Sequence, residues 1–150
     1  MSFEPFEPEL PTLHVLSPPV ARMASVAGVT AMTAASGVVA YFDPSTHSFL
    51  PVCPLYALTG FACPGCGLTR GFHALFHGDV LMALDYNALI PLWVVIFGYA
   101  WLSLVLLAVR GKGLPMSPLK PKFLFGFMIV LLLFGVIRNI PVWPFTFLFP

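Results

Sequence analysis

The sequence predicts an all-α integral membrane protein with three transmembrane helices, on two observations. First, 59% of the 150 residues are hydrophobic and only 9% are charged, far from the ~25% charged residues of a soluble domain. Second, apolar stretches at about 23–42, 88–109 and 123–138 are separated by segments rich in proline and glycine. The net charge of +1 gives no sign of a nucleic-acid partner.

Residues 1–22 form an acidic, proline-rich tail, and residues 23–150 form the membrane domain. Proline fixes φ and removes a donor, so we expect an extended tail. The first span, 23–42, carries no charge and is long enough to cross a ~30 Å hydrocarbon core. Small residues let helix backbones approach closely, so we expect this span to pack on protein along a face that contains Ala24, Gly28, Ala31, Ala35 and Ser36.

The second and third spans differ in length. The second, 88–109, has Pro91 near its start, where proline costs a helix least. The third, 123–138, is short and lies between Lys122 and Arg138, whose long side chains can reach the headgroups.

Lysine and arginine are distributed unevenly over the two sides of a three-span arrangement. Arg70 and Arg138 lie on the side of the loop between spans 1 and 2. The other side, which includes the N-terminus, has Arg22, Arg110, Lys112, Lys120 and Lys122. The positive-inside rule therefore predicts a cytoplasmic N-terminus and places the loop between spans 1 and 2 at the outer face.

That loop contains all three cysteines and three of the four histidines, of which His73 and His77 follow the cysteine pair. From 43 to 60 the sequence indicates an irregular interfacial segment. If the chain becomes helical after Gly67, then Arg70, His73 and His77 share one face, which predicts a short amphipathic helix. Asp79 is a candidate N-cap for a following segment, 80–86.

Two roles are open for His73 and His77: binding a metal, or contacting a neighbouring polar group. Cys63-x2-Cys66 followed by His73-x3-His77 supplies four candidate ligands for tetrahedral zinc, because the loop cysteines can surround an ion and histidines four apart present their rings together. Alternatively, each histidine makes a polar contact with a neighbouring backbone group or a lipid headgroup.

The Cys63-Pro-Gly-Cys66 pair also suits redox chemistry, since a two-residue spacer lets the sulfurs meet and a helix N-terminus stabilises a thiolate. Cys53 is then a resolving partner, a third metal ligand or a small buried residue. An inert disulfide and unbridged, reduced cysteines are further alternatives.

The arginines have alternatives too. Arg70 is a candidate for binding an anion such as a lipid headgroup through its guanidinium fork, or it pairs with an aspartate or a loop carbonyl to orient the helix. Arg138 and Asn139, at the end of the third span, are expected to connect the C-terminal segment to the first loop.

The motif Cys-Pro-x-Cys-Gly-x-Thr-Arg at 63–70 follows Cys53-Pro54 and precedes His73-x3-His77-Gly-Asp and Arg138-Asn-Ile-Pro. This combination resembles the small prokaryotic membrane proteins grouped as domain of unknown function 2752, over about residues 40–145. The resemblance implies a bacterial source and a membrane location, hence the inner (cytoplasmic) membrane. It supplies no mechanism.

Two classes of function follow. The first is a scaffold or accessory subunit of a larger membrane complex, with a structural Cys/His loop and contacts to lipids, to other membrane proteins or to a second copy through the small-residue face. This non-enzymatic role is favoured because the predicted spans contain no carboxylate or histidine for a proton or ion path. The alternative is a membrane thiol-disulfide oxidoreductase that uses Cys63, Cys66 and Cys53.

Overall fold

The computed structural model describes residues 18–45, 53–115, 121–143 and 148. These residues form helices joined by turns, and no strand occurs among them, which confirms the all-helical class. In chain order the helices are α1 (Pro18–Tyr41), α2 (Pro54–Thr59), α3 (Leu68–Phe76), α4 (Val80–Tyr86), α5 (Ile90–Arg110) and α6 (Pro121–Ile137).

The three longest helices, α1, α5 and α6, correspond to the predicted spans. By length and composition α1 and α5 can each cross a membrane, whereas α6 is apolar but shorter, with 17 residues. Helix α1 begins at Pro18, earlier than predicted, because proline is tolerated in a first helical turn. Residues 18–22 of the predicted tail are therefore helical, and the rest of that tail lies outside the described residues.

The predicted irregular segment 43–60 contains a helix that the sequence analysis missed. Helix α2 follows Cys53, which is its N-cap residue, and starts with Pro54 in the first helical position. It ends at Gly60, whose φ of 73° is left-handed and whose N–H donates to the Tyr56 carbonyl. Six residues are too few to show a helical hydrophobic period, which explains the error.

The predicted short amphipathic helix and its successor are present as α3 and α4. Asp79 is the N-cap of α4, and its Oδ1 accepts from the Met82 N–H at 2.9 Å, as the sequence predicts. Close approach of the two helices depends on Gly71 of α3, because a Cβ there would lie 3.1 Å from the Ala83 carbonyl oxygen. Ala74, Ala83 and Ile90 form the buried centre of this junction.

Helix α1 packs along α5, and α3 bridges both of them. At Gly28 the small-residue face of α1 meets α5 of the same chain, since a Cβ at Gly28 would lie 3.2 Å from Leu104 Cδ1. Trp101 Nε1 donates to Thr33 Oγ1 at 3.0 Å across the same interface.

Among the described residues, α6 contacts α5 and the cysteine loop. Midway along it, the Phe127 ring lies edge-on to Trp93 of α5, with centroids 5.8 Å apart. At its C-terminal end, Gly135 comes so close to Pro64 that a Cβ would lie 3.1 Å from the proline Cγ. The end of α6 therefore lies against the cysteine loop.

Candidate metal centre

Cys63 to Cys66 form a tight turn between α2 and α3. The Cys66 N–H donates to the Cys63 carbonyl at 3.0 Å, and Pro64 occupies the second turn position, where its fixed φ fits. Gly67 follows with a left-handed φ of 79° and redirects the chain into α3. The Cys63 N–H also donates to Cys66 Sγ at 3.2 Å, so one sulfur already lies over the turn.

Cys53 adds a third sulfur to this turn. The Cys63 Sγ lies 3.3 Å from Cys53 Sγ and 3.4 Å from Cys66 Sγ, and all three sulfurs are within 4.8 Å of one another. A disulfide has a length of about 2.05 Å, so the three are free thiols. We call these three residues the cysteine centre.

The surroundings of Cys53 and Cys66 shift the pKa values of these two thiols in opposite directions. A hydrogen bond from the Tyr56 backbone N–H, followed by contact with the Cys63 thiol, lowers the pKa of Cys53 to about 7. Burial, followed by contact with the Cys63 thiol, raises the pKa of Cys66 to about 12. Of Cys53 and Cys66, Cys53 is therefore the thiol that ionises more readily in the absence of a metal.

Asn87, at the junction of α4 and α5, supports the turn from one side. It is buried, and its Nδ2 donates to the Pro64 carbonyl at 2.9 Å and to the Cys66 carbonyl at 3.1 Å. Its Oδ1 accepts from the Leu89 N–H, so the side chain cannot rotate freely. The sequence analysis did not select Asn87. The available signal was a carboxamide directly before an apolar span.

Arg138 and Asn139 support the turn from the side of α6. Arg138 Nη1 donates to the carbonyls of Cys63 and Cys66 at 2.9 and 3.1 Å. Asn139 accepts from the Ala62 N–H and donates to the Ala62 carbonyl, both at 2.8 Å. The predicted connection between the end of the third span and the first loop is confirmed.

His73 and His77 contact α1 instead of the cysteines. His73 Nδ1 lies 2.7 Å from the Val39 carbonyl and His77 Nε2 lies 3.0 Å from the Ala40 carbonyl, and a carbonyl can only accept, so both nitrogens donate. These carbonyls belong to the last turn of α1, where no following helical N–H group is present to donate to them. The backbone contact considered as the alternative for the histidines is therefore present.

His73 and His77 also line a cavity of about 260 Å³. Arg70 is exposed at its edge, and a contact of Arg70 with an anion or a lipid headgroup stays a prediction. The other lining residues are Asp43, Ser45, Ala74, Asp79, Met82 and Tyr86. In the part of the chain that the structure describes, the group of three or more closely spaced metal-donor side chains consists of Cys53, Cys63 and Cys66.

A comparison with known families identifies the segment around this centre. Residues 53–101 match the family of proteins of unknown function DUF2752. The resemblance inferred from the cysteine motif is thereby confirmed over a narrower range than expected. No curated protein and no solved structure matches the chain.

The DUF2752 match, residues 53–101, contains all three sulfurs and Asn87, together with α2, α3, α4 and the first half of α5. Arg138 and Asn139 lie beyond it. The centre is therefore built by the DUF2752 segment and is completed by the end of α6.

The sulfur geometry of the DUF2752 segment fits one soft metal ion. Tetrahedral zinc binds thiolates at about 2.3 Å, which requires sulfurs about 3.8 Å apart. The observed separations of 3.3 and 3.4 Å need only small outward movements of side chains that are partly exposed. The chemistry of the donors, all sulfur, suits zinc and excludes the oxygen-preferring ions magnesium and calcium.

Proposed function

We propose that this protein is a small membrane scaffold or accessory subunit of a larger membrane complex, in which the cysteine centre holds a structural zinc ion. One observation carries the proposal: three sulfurs from two separate segments lie within 4.8 Å of one another. One segment is the start of α2, and the other is a turn that distant side chains support through hydrogen bonds. Bound zinc would crosslink the start of α2 to the turn before α3.

The membrane location is supported by the exposure of the long helices. The most apolar stretch of α5 contains no buried residue, whereas the core helix of a soluble protein would bury one face. Helix α6 likewise has no buried residue and exposes Phe125, Met128, Leu132, Leu133 and Val136. We infer that all three helices cross the inner membrane of a bacterium, with the N-terminus cytoplasmic and the centre at the outer face.

A structural role is supported by how the polar side chains near the centre are used. Asn87, Arg138 and Asn139 all bond to backbone groups of residues 62–66. These bonds fix the loop and leave little room for the loop to move during a reaction. The apolar surfaces of α1, α5 and α6 are then available to lipids, to other membrane proteins or to a second copy of the chain.

The zinc content of the detergent-purified protein tests the metal. We expect about one zinc per wild-type chain by elemental mass spectrometry, and loss of that zinc in Cys53→Ser and in Cys66→Ser, because either change removes a sulfur ligand. The matched control is the double variant His73→Gln, His77→Gln, which should keep the zinc. Loss of zinc in this control and in Cys66→Ser, with zinc kept in Cys53→Ser, would instead support the ligand set Cys63, Cys66, His73 and His77. Metal-free wild-type protein contradicts the proposal.

The double variant Cys63→Ser, Cys66→Ser separates the scaffold from an enzyme. A structural crosslink predicts that this variant accumulates in membranes several-fold less than wild type, because the loop loses its metal. An enzyme predicts normal accumulation of an inactive protein. Immunoblots of membrane fractions give the answer.

Thiol-disulfide exchange is the second candidate, because Cys63 lies in contact with both other thiols. A Cys63 thiolate would attack a substrate disulfide and displace one substrate thiol. Cys66 or Cys53 would then attack the mixed disulfide and release the second thiol. The protein pair is thereby oxidised and the substrate disulfide reduced.

The low pKa of Cys53 has a test of its own on metal-free protein, separate from the attack assigned to Cys63. Alkylation of Cys53 by iodoacetamide should rise through pH 7 and be half-maximal there, since the thiolate, which reacts, forms above a pKa of about 7. Cys66 should stay unreactive until much higher pH. Peptide mass spectrometry after brief labelling at each pH measures both. Equal labelling of the two cysteines at pH 7 contradicts the expectation.

A further inference from the structure

Arg138 has a buried positive charge, and the hydrogen bonds at the cysteine centre do not balance that charge. The residue is 0% exposed, and only its Nη1 is bonded, to two backbone carbonyls. Its Nε and Nη2 are buried, and neither has a hydrogen-bond partner in the described part of the chain. Guanidinium stays protonated in proteins, and a buried charge without a counter-charge is strongly unfavourable.

In the described part of the chain, the groups that can supply negative charge to the Arg138 guanidinium are the sulfurs of Cys63 and Cys66. The Phe134 ring covers the guanidinium, with Cζ 5.0 Å from the ring centroid. The carbonyls of Cys63 and Cys66 hold Nη1 and carry no net charge. The sulfurs of the same two cysteines interact with the guanidinium electrostatically, so metal-bound thiolates here would face a positive charge.

Charge arithmetic then restricts the occupant. Three thiolates and a divalent ion together carry a charge of −1, which the +1 of Arg138 cancels. Three thiolates and a trivalent centre carry no charge and leave Arg138 uncompensated. In surroundings of low dielectric constant the neutral assembly is favoured.

We propose that Arg138 is the counter-charge of the cysteine centre and makes the centre selective for a soft divalent cation bound by all three thiolates. This inference rests on the proposed metal-binding function. It assigns Arg138 a role beyond its bonds to the loop, because those bonds alone would support any occupant of the three sulfurs equally.

Two probes that use the same sulfurs but differ in charge distinguish these roles. Zinc gives a tris-thiolate of charge −1. Arsenite gives a neutral one, since As(OH)3 and three thiols yield As(SR)3 and three waters. A role through charge affects zinc alone, whereas a role through loop support affects both probes.

The experiment measures the affinity of metal-free, full-length protein in detergent for both probes, zinc by competition with a chromogenic chelator and arsenite by loss of free thiols. We expect Arg138→Gln to weaken zinc binding about 10- to 100-fold more than arsenite binding, the range for residues that support metal ligands. A loss that both probes share would report the Nη1 bonds to the loop. Arg138→Lys should keep the ratio of the two affinities. The control Asn139→Ser, which removes uncharged loop contacts, should change both affinities by the same factor.

Arsenite binding also reports whether each variant still brings its sulfurs together. If Arg138→Gln binds no arsenite, Asn139→Asp replaces it. This variant adds a negative charge at the residue that follows Arg138 in the chain, at nearly unchanged size, and the ratio of zinc affinity to arsenite affinity should fall at least tenfold. An unchanged ratio in the variant that assembles overturns the counter-charge while leaving the metal centre in place. Wild-type protein that binds no zinc overturns the proposed function itself.

Discussion

Replacing Asn139 with alanine is expected to lower the free energy of unfolding by about 3 kcal/mol. The side chain bonds to the Ala62 N–H, the Ala62 carbonyl and the Gly135 carbonyl, at 2.7 to 2.8 Å. Ala62 is 1% exposed, so water cannot replace the lost partners of its backbone groups. A buried polar group left without a partner costs about 1–3 kcal/mol, and Ala62 would have two of them.

Denaturant unfolding in detergent, followed by tryptophan fluorescence, measures this loss. Val142→Ala is the matched control, because Val142 lies three residues away and is 59% exposed. This control should change the unfolding free energy by less than about 0.5 kcal/mol, as surface substitutions do. Similar, small effects of the two substitutions would show that α6 does not hold the cysteine loop.

Replacing Gly71 with alanine has the second large expected effect, a loss of about 1–3 kcal/mol through overpacking. The added Cβ would lie 2.7 Å from Ile90 Cδ1 and 3.1 Å from the Ala83 carbonyl oxygen. Ile90 can shift its terminal methyl, but the backbone of α4 can yield only by moving away from α3. Because Asn87 follows α4, this movement also displaces the donors that hold the cysteine turn.

The same unfolding measurement, with zinc content beside it, tests Gly71→Ala. Gly98→Ala in α5 is the control, since nothing lies within 4 Å of the Cβ it would add. Alanine favours a helix over glycine by up to about 1 kcal/mol, so this control should be neutral or more stable than wild type. A stabilised Gly71→Ala variant would contradict the tight α3–α4 contact.

The parts of the fold that were predicted correctly depend on short-range patterns. The apolar stretch of α5 and the cap at Asp79 each involve neighbours within a few residues. Helix α2 was missed because its six residues show no period, and Pro18 was assigned to the tail because prolines surround it. In both cases a proline that starts a helix was interpreted as one that interrupts the chain.

The prediction of the site also depended on short-range spacing. The sequence analysis selected Cys63 and Cys66 and named Cys53 as a possible third ligand. It also grouped His73 and His77 with the cysteines, because four residues of spacing suit a common ligand. Spacing on one helix cannot reveal that the last carbonyls of α1 need donors, and those carbonyls are where both rings bond.

By itself the sequence determined that the chain is helical and apolar and that a cysteine turn interrupts it. It also contains the motif that resembles DUF2752. The first two properties follow from composition and from backbone preferences of neighbouring residues, and the resemblance depends on the motif. Tertiary structure alone decided that Cys53 joins the pair, that Asn87 holds the turn and that Arg138 lies buried beside it. Such contacts join residues up to 75 positions apart, and only the packing of the helices selects which distant polar groups meet.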